Sequence, residues 1–399
     1  MLAAVVLGVC ACAPLARYDA VGELAGQPVE TRVDSRAAAY YLESYLPGVP
    51  TDAELSAHID ETLAEVDPAP ADREGLAQLT RALSPDFATM HFVSRLYADP
   101  QNRRMQDRFL ELVDALTNAP REEIVADLEQ YHGYKIIFVP GYAYRSNPAN
   151  GADFRRQREL LSELGFEPLL IETEELGTVE VNADIVTREL GALIRQYDAI
   201  ILVSASKGGP EVAIALDALR GEPRAGNIKA WISAGGLLRG SPYADRYLSW
   251  PKSWLARIML RRRGQPPDLL ENLSTVARRP AFDGLGLPSD VLMLQYVGAP
   301  LSGHVRDETR GRYRVMRRLG PNDGLTLLSD ELIAGGLVVT EIGLDHYLRA
   351  PDIDIRTVAL TYAVLSELGR RGSSSDLPMS RLGGNADRAV LLARGAGVN

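Results

Sequence analysis

The chain has 399 residues, 46% of them apolar, enough for a sizeable core arranged as one large domain with a smaller one appended. Its 53 acidic residues outnumber 43 basic ones, and a formal net charge of -10 excludes a general nucleic-acid binder, which needs a positive field. Both cysteines, Cys10 and Cys12, precede residue 13, so the remaining chain holds neither a disulfide nor a thiolate metal site.

In chain order, the first element is "MLAAVVLGVCACAPLA", as long as a signal-peptide core and too short to span a bilayer comfortably. Within it, Val9-Cys10-Ala11-Cys12 resembles a bacterial lipobox, with small Ala11 before the second cysteine. The resemblance implies cleavage before Cys12, lipidation of its thiol, and export to the cell envelope as a membrane-anchored lipoprotein on the periplasmic side. Cys10, behind the larger Val9, fits the cleavage position less well. No Lys or Arg precedes the apolar run, which departs from the signal pattern, and the alternative is an uncleaved apolar N-terminus. Residues 1–20 are therefore read as a signal and lipobox segment.

Residues 21–130 are read as a helical N-terminal region, with helical patterning from 35 to 132 and no strand interrupting it. "TDAELSAHIDETLAEV" opens on Thr51 with Glu54 three residues later, the capping-box spacing. "QNRRMQDRFLELVDALTNAP" places Met105, Phe109, Leu112, Val113 and Leu116 on one face before Pro120.

The character changes at Tyr134. "YKIIFVPG", "EPLLIET", "AIILVSA", "IKAWISAGG", "DVLMLQYVG" and "GGLVVTEIG" are short apolar runs that predict buried strands. Between them lie helical patterns, including "ADFRRQRELLSELGF", "NADIVTRELGALIRQY" with Asn182 as its expected cap, and a helix from Pro210. "DIDIRTVALTYAVLSELGRRG" is the final helix. Such alternation predicts an α/β fold, a mostly parallel sheet with helices on both faces, over residues 131–370. Residues 371–399, rich in Gly, Ser and Arg, are read as a flexible tail.

The strand "AIILVSA" runs into "SKGGPEVAIAL". This places Ser206 at the tip of a strand-to-helix turn, with Gly208 and Gly209 behind it and Pro210 suited to the first helical turn. A serine so placed stands above the sheet edge, and the helix-end amides favour negative charge beside it. The arrangement is that of a nucleophile elbow, and the chain here resembles the α/β-hydrolase superfamily, lipase- or esterase-like. Ser204 stands where that pattern usually has glycine, so the motif reads S-x-S-x-G.

The resemblance implies partners in the order serine, acid, histidine. Of five histidines only His304 and His346 follow Ser206. His346, in "VVTEIGLDHYLR", comes directly after the last strand and is the expected base. His304, in "LSGHVRDETRG", is the competitor, and with Asp307 and Glu308 it forms a metal-type trio lacking any further ligand. Asn-Asp-Gly-Leu in "LGPNDGLTLLSD" resembles the lipase acid loop and implies Asp323 as the acid, better placed than Asp290 or Asp345. "ISAGGLLRGSPYAD" resembles the lipase segment leading from sheet to cap. For the oxyanion hole the resemblance implies the amides of Lys207 and of Tyr142, the latter in "FVPGYAYRS". The Lys207 side chain adds a charge near the elbow, with solvent as its bland destination.

A cap insertion is expected at about 240–285. Its stretch "SWPKSWLARIMLRRRGQPP" combines Trp250, Trp254, Leu255, Ile258, Met259 and Leu260 with Lys252, Arg257 and Arg261 to Arg263. Two readings apply: a cap helix laying its apolar side over the active site, which is favoured, or an interfacial helix at an anionic membrane. No Walker loop is present, "DGLGLPS" is only superficially a dinucleotide fingerprint, and no cofactor is indicated. The expectation is a serine hydrolase of carboxylic esters acting on a small-molecule or lipid acyl ester, with a membrane surface as a further partner through anchor and cap. An amidase or peptidase on the same residues is one alternative. A non-catalytic envelope platform of the same fold is the other.

Overall fold

The computed structural model of the protein describes residues 15–372. Cys10 and Cys12, and all but the first two residues of the expected tail, lie outside them. The described chain opens with a hairpin, β1 (Tyr18–Leu24) and β2 (Gln27–Val33), antiparallel with Tyr18 opposite Val33. This corrects the reading of 21–130 as helical throughout and the extension of the signal segment to residue 20; the signal and lipobox reading itself falls on residues outside those described. Ala20, Leu24, Val29 and Val33 are buried while their neighbours face outward, a period of two that no helix can use. Ala25 (φ 52) and Gly26 (φ 75) make the tight left-handed turn such a hairpin prefers.

Helices follow: α1 (Arg36–Tyr40), α2 (Ala53–Glu65), α3 (Arg73–Ala82), α4 (Pro85–Ala98), α5 (Pro100–Asn118) and α6 (Arg121–Leu128). The cap of α2 is Asp52, whose side chain accepts from the Leu55 amide, and the expected cap Thr51 lies 3.1 Å from the Ser44 hydroxyl instead. A carboxylate one residue later reaches the first-turn amides with a full negative charge.

The central sheet has six parallel strands in the order β4-β3-β5-β6-β7-β8. They are β3 (Lys135–Val139), β4 (Leu169–Leu170), β5 (Ile200–Ala205), β6 (Ile228–Ala234), β7 (Leu292–Ala299) and β8 (Leu337–Ile342). Every residue of β3 and β7 is buried, as expected for strands covered on both faces. Residues from α5, α6, α7 (Arg155–Glu163) and α15 (Ile353–Gly372) pack with Phe138, Val203, Ile232 and Val339 on one face. Residues from α8 (Val179–Gln196) and α9 (Gly208–Leu219) pack with Ile137, Leu202 and Trp231 on the other. This is the α/β-hydrolase fold that the sequence leads one to expect. Asn182 sits inside α8 rather than capping it, because Thr178 accepts from the Val181 amide. The helix α15 continues to Gly372, past the expected start of the tail.

The N-terminal region is part of this body. The apolar residues of β1, β2 and α1 to α4 pack with Val297, Ala299, Leu301 and Val338 of the β7–β8 end of the sheet. From α5, Asn102 accepts from the Val338 amide (2.9 Å) and Gln106 from the Thr340 amide (2.8 Å), while Gln27 accepts from the Ile342 amide (3.2 Å). Three side chains thus satisfy the free backbone donors of edge strand β8.

The insertion after β6 comprises α10 (Pro242–Asp245), α11 (Lys252–Arg262), α12 (Leu269–Asn272) and α13 (Thr275–Asp283). The favoured reading, with α11 laying apolar side chains over the site, is overturned. Trp250, Trp254, Leu255 and Met259 are exposed, Trp250 by 83%.

Candidate active site

Ser206 directly follows the end of β5, with its backbone in the left-handed region (φ 50). That conformation strains a non-glycine residue, and neighbouring bonds hold it. The Ser206 amide donates to the Ala234 carbonyl (3.1 Å), and its own carbonyl accepts from Gly209 (3.0 Å) and Leu237 (2.9 Å). Gly208 is required here, since a Cβ on it would lie 2.8 Å from the carbonyl oxygens of Val139 and Pro140. Two residues earlier, Ser204 is wholly buried and its hydroxyl accepts from the Trp231 indole at 2.9 Å. The hydroxymethyl in place of glycine therefore satisfies a buried donor on the neighbouring strand.

His346 lies in the loop after β8, with Nε2 2.9 Å from Ser206 Oγ and Nδ1 2.5 Å from Asp323 Oδ2. Asp323 lies in the loop between α14 (Asp307–Met316) and β8, and its other oxygen accepts from the amides of Leu325 and Thr326, both at 2.7 Å. The Asp323 carbonyl accepts from the His346 amide at 2.9 Å, so one residue holds both the ring and the backbone of the histidine. Asp345, next to His346, accepts from Thr309 Oγ1 and the Tyr347 amide and turns away from the imidazole's partners.

The structure thus brings Ser206, His346 and Asp323 together, although 140 residues separate the first two in sequence. His304 is elsewhere: its ring packs against Gly343 and burial lowers its pKa. Asp307 pairs with Arg310 and Glu308 lies 3.8 Å from Arg349, so the trio around His304 does not converge. Asp290 is exposed, remote from these contacts.

Tyr142 and Lys207 flank the serine from two chain segments. Gly141 approaches it closely, because a Cβ there would lie 3.6 Å from that of Ser206. Neither the Tyr142 nor the Lys207 amide has an acceptor within the described residues. The Lys207 side chain does not reach solvent, contrary to its bland destination. It is buried under the elbow, with Nζ 2.8 Å from both Glu211 Oε1 and the Gly177 carbonyl. Asn182 also donates to Glu211, at 2.8 Å. Burial drives the Glu211 carboxyl up to about 7, against the opposing pull of Lys207. Sequence reading missed Glu211, though its i,i+4 spacing from Lys207 stood in the motif. Behind the acid loop, burial holds the Glu331 carboxyl well above its usual range, reinforced by the negative Asp323 and Asp330.

Ser206 and His346 open onto a cavity of about 980 Å³. Its walls come from the loop after β3, the sheet edge, the loop after β8, and α15, with Gln265 as the contribution of the insertion. It lies at the carboxyl ends of the strands, where open parallel sheets bind their ligands.

No protein-family model matches the chain, and none of the curated proteins does. Among solved structures it is similar to a metagenomic carboxyl esterase, at 22% identity over 60% of this chain and 76% of that one, with a TM-score of 0.49. A Bacillus licheniformis lipase in its mature form shares 22% identity over 59% of this chain and 91% of its own, with a TM-score of 0.45. A Legionella pneumophila phospholipase shares 14% identity over 50% of this chain and 45% of its own, with a TM-score of 0.35. All three scores lie below 0.5, and the reading of the site rests on its own distances.

Proposed function

We propose that the protein is a serine hydrolase of carboxylic esters, with Ser206, His346 and Asp323 as its triad. The observation that carries this reading is the continuous chain of hydrogen bonds Ser206–His346–Asp323 at the mouth of a large cavity. Ser206 Oγ attacks the ester carbonyl while His346 Nε2 takes its proton, and Asp323 orients the ring and stabilises the imidazolium. The oxyanion forms where the unpaired amides of Tyr142 and Lys207 meet. His346 then protonates the departing alcohol. Water, deprotonated in turn by His346, attacks the acyl-enzyme and releases the acid.

The test is labelling with a fluorophosphonate probe, wild type beside Ser206→Ala, with the adduct mapped by mass spectrometry. An adduct on Ser206 that the variant lacks supports an activated nucleophile. A folded wild type that takes no probe overturns the reading in favour of a non-catalytic platform.

The protein works at a membrane surface, tethered through Cys12 in the cell envelope. The support is the lipobox-like segment together with the exposed Trp250, Trp254, Leu255 and Met259, which stand among Lys252, Arg261, Arg262 and Arg263. Metabolic palmitate labelling that survives Cys12→Ser rules out that thiol as the sole anchor.

A further inference from the structure

The lining of the cavity beside Ser206 is rich in arginine, in a chain of net charge -10. Five arginines line it, Arg155, Arg156, Arg306, Arg349 and Arg356, against one carboxylate, Asp153. Three of the five are neutralised locally: Arg155 by Glu159, Arg156 by Asp354, and Arg356 by Glu341 and Asp352. Two are not. Among the described residues Arg306 has no carboxylate within 4.0 Å, and its guanidinium donates to the Arg349 carbonyl at 2.7 Å. The Glu308 carboxylate paired with Arg349 is itself largely exposed and too far to accept a hydrogen bond from it. Arg349 Nε is buried with no acceptor among the described residues.

These cations stand around the base. Arg349 lies over the ring of Tyr347, the residue after His346, at 4.7 Å. Arg312 lies over the same ring at 5.7 Å and also lacks a carboxylate partner among the described residues. Arg306 and Arg312 are thus left without a carboxylate among the described residues, beside the weakly paired Arg349. In a cleft walled by apolar side chains such as Ile232, Leu325 and Leu360, their field is focused rather than dissipated. The planar fork of arginine suits the paired oxygens of a phosphate or carboxylate.

We propose that the substrate is an anionic amphiphilic ester, bound by Arg306 and Arg349 through a phosphate or carboxylate while its apolar part lies against Ile232, Leu325 and Leu360. This inference rests on the ester-hydrolase reading of the same site. It assigns the selectivity of the enzyme to two residues outside the triad.

The test compares matched esters on the full chain at low ionic strength. One pair is monobutyryl glycerol and its 3-phosphate, with the charge on the alcohol side. The other is 4-nitrophenyl hexanoate and the 4-nitrophenyl monoester of adipic acid, with the charge on the acyl side. The expected result is a kcat/KM favouring the anionic member of one pair by roughly tenfold, the scale of a charge-assisted hydrogen bond. That ratio falls toward one in Arg306→Gln and Arg349→Gln, and with added salt. The pair that shows it identifies the side of the scissile bond carrying the charge. Ratios at or below one in both pairs, or a preference untouched by both substitutions, overturn the inference.

A readout without turnover accompanies this: glycerol 3-phosphate and adipate should raise the melting temperature of wild type, glycerol should not, and R306Q R349Q should lose the shift. The unliganded melting of the double variant checks that it folds. If no ester is cleaved and Ser206 takes no probe, the hydrolase reading fails, while the melting shift still decides whether the cavity holds an anion.

Discussion

At the residue scale, the site depends on side chains that complete one another's hydrogen bonds. Ser204 is the clearest case, since its role lies on a neighbouring strand. Ser204→Ala leaves the buried Trp231 indole without an acceptor and should cost about 1–3 kcal/mol, read as a lowered melting temperature. Combining it with Trp231→Phe removes the orphaned donor, so the double variant should lose less than the sum of the two single changes. Asp323→Asn tests the other end of the chain of hydrogen bonds. An amide there favours the wrong imidazole tautomer, and ester turnover should fall by about four orders of magnitude, the scale set by amidating the acid of a serine-protease triad. A loss under tenfold would remove Asp323 from its proposed role. The motif around Ser206 was legible because a strand-to-helix turn needs small residues at fixed positions. The Trp231 partner of Ser204 and the Gly177 and Asn182 partners of Lys207 and Glu211 were not, because contacts between distant segments leave no local periodicity.

At the element scale, edge strand β8 and the hairpin show what holds the N-terminal region to the sheet. Gln106 accepts from the Thr340 amide and donates to the Thr340 carbonyl (3.2 Å), so one side chain occupies both backbone groups of an edge residue. Gln106→Ala leaves the Thr340 amide unpaired beneath α5, while the carbonyl keeps its bond from Gln27 (2.9 Å), and should destabilise the fold by about 1–3 kcal/mol in urea unfolding. Replacing exposed Arg104 of the same helix should change little. Near the hairpin, Asp86 is wholly buried, accepting from the Asp34 amide (2.7 Å) and from the amide and hydroxyl of Ser302 (2.9 and 3.0 Å). Burial, and then the charge of Asp34, raise the Asp86 carboxyl from 3.8 to about 8. Between those values the folded protein keeps a proton that the unfolded chain has released. This contribution to stability is therefore fully present below pH about 4 and lost as pH rises to about 8. Asp34→Asn removes the repelling charge and should flatten this slope, measured by urea unfolding at pH 5 and pH 8. An unchanged slope would show that the Asp34 charge does not contribute to it.

At the scale of the whole molecule, the sheet brings the site together and the insertion presents its own surface. With Trp250, Trp254, Leu255 and Met259 turned outward among basic residues, the protein should co-sediment with vesicles containing anionic phospholipid. Added salt should weaken this binding, and Trp250→Ser with Trp254→Ser should abolish it. Equal binding by the double variant would assign the attachment to another surface.

The sequence by itself determined the alternation of strands and helices from Tyr134 onward. It also determined the position of the elbow and, through the family resemblance, a histidine and an acid that proved to lie within hydrogen-bonding distance in order. These are local features: apolar runs, turn residues and motif spacing record what each short segment must bury or bend around. Tertiary structure alone decided that α5 is a layer of the sheet, that residues 18–33 form a hairpin, and that α11 faces outward. It also decided that the Lys207 side chain is buried against the Gly177 carbonyl and that Arg306, without a carboxylate among the described residues, gathers with Arg349 beside His346. Each of these depends on which surfaces meet across long sequence separations. The apolar pattern of one segment states that it must be covered, and the partner that covers it is specified only when all the segments pack at once.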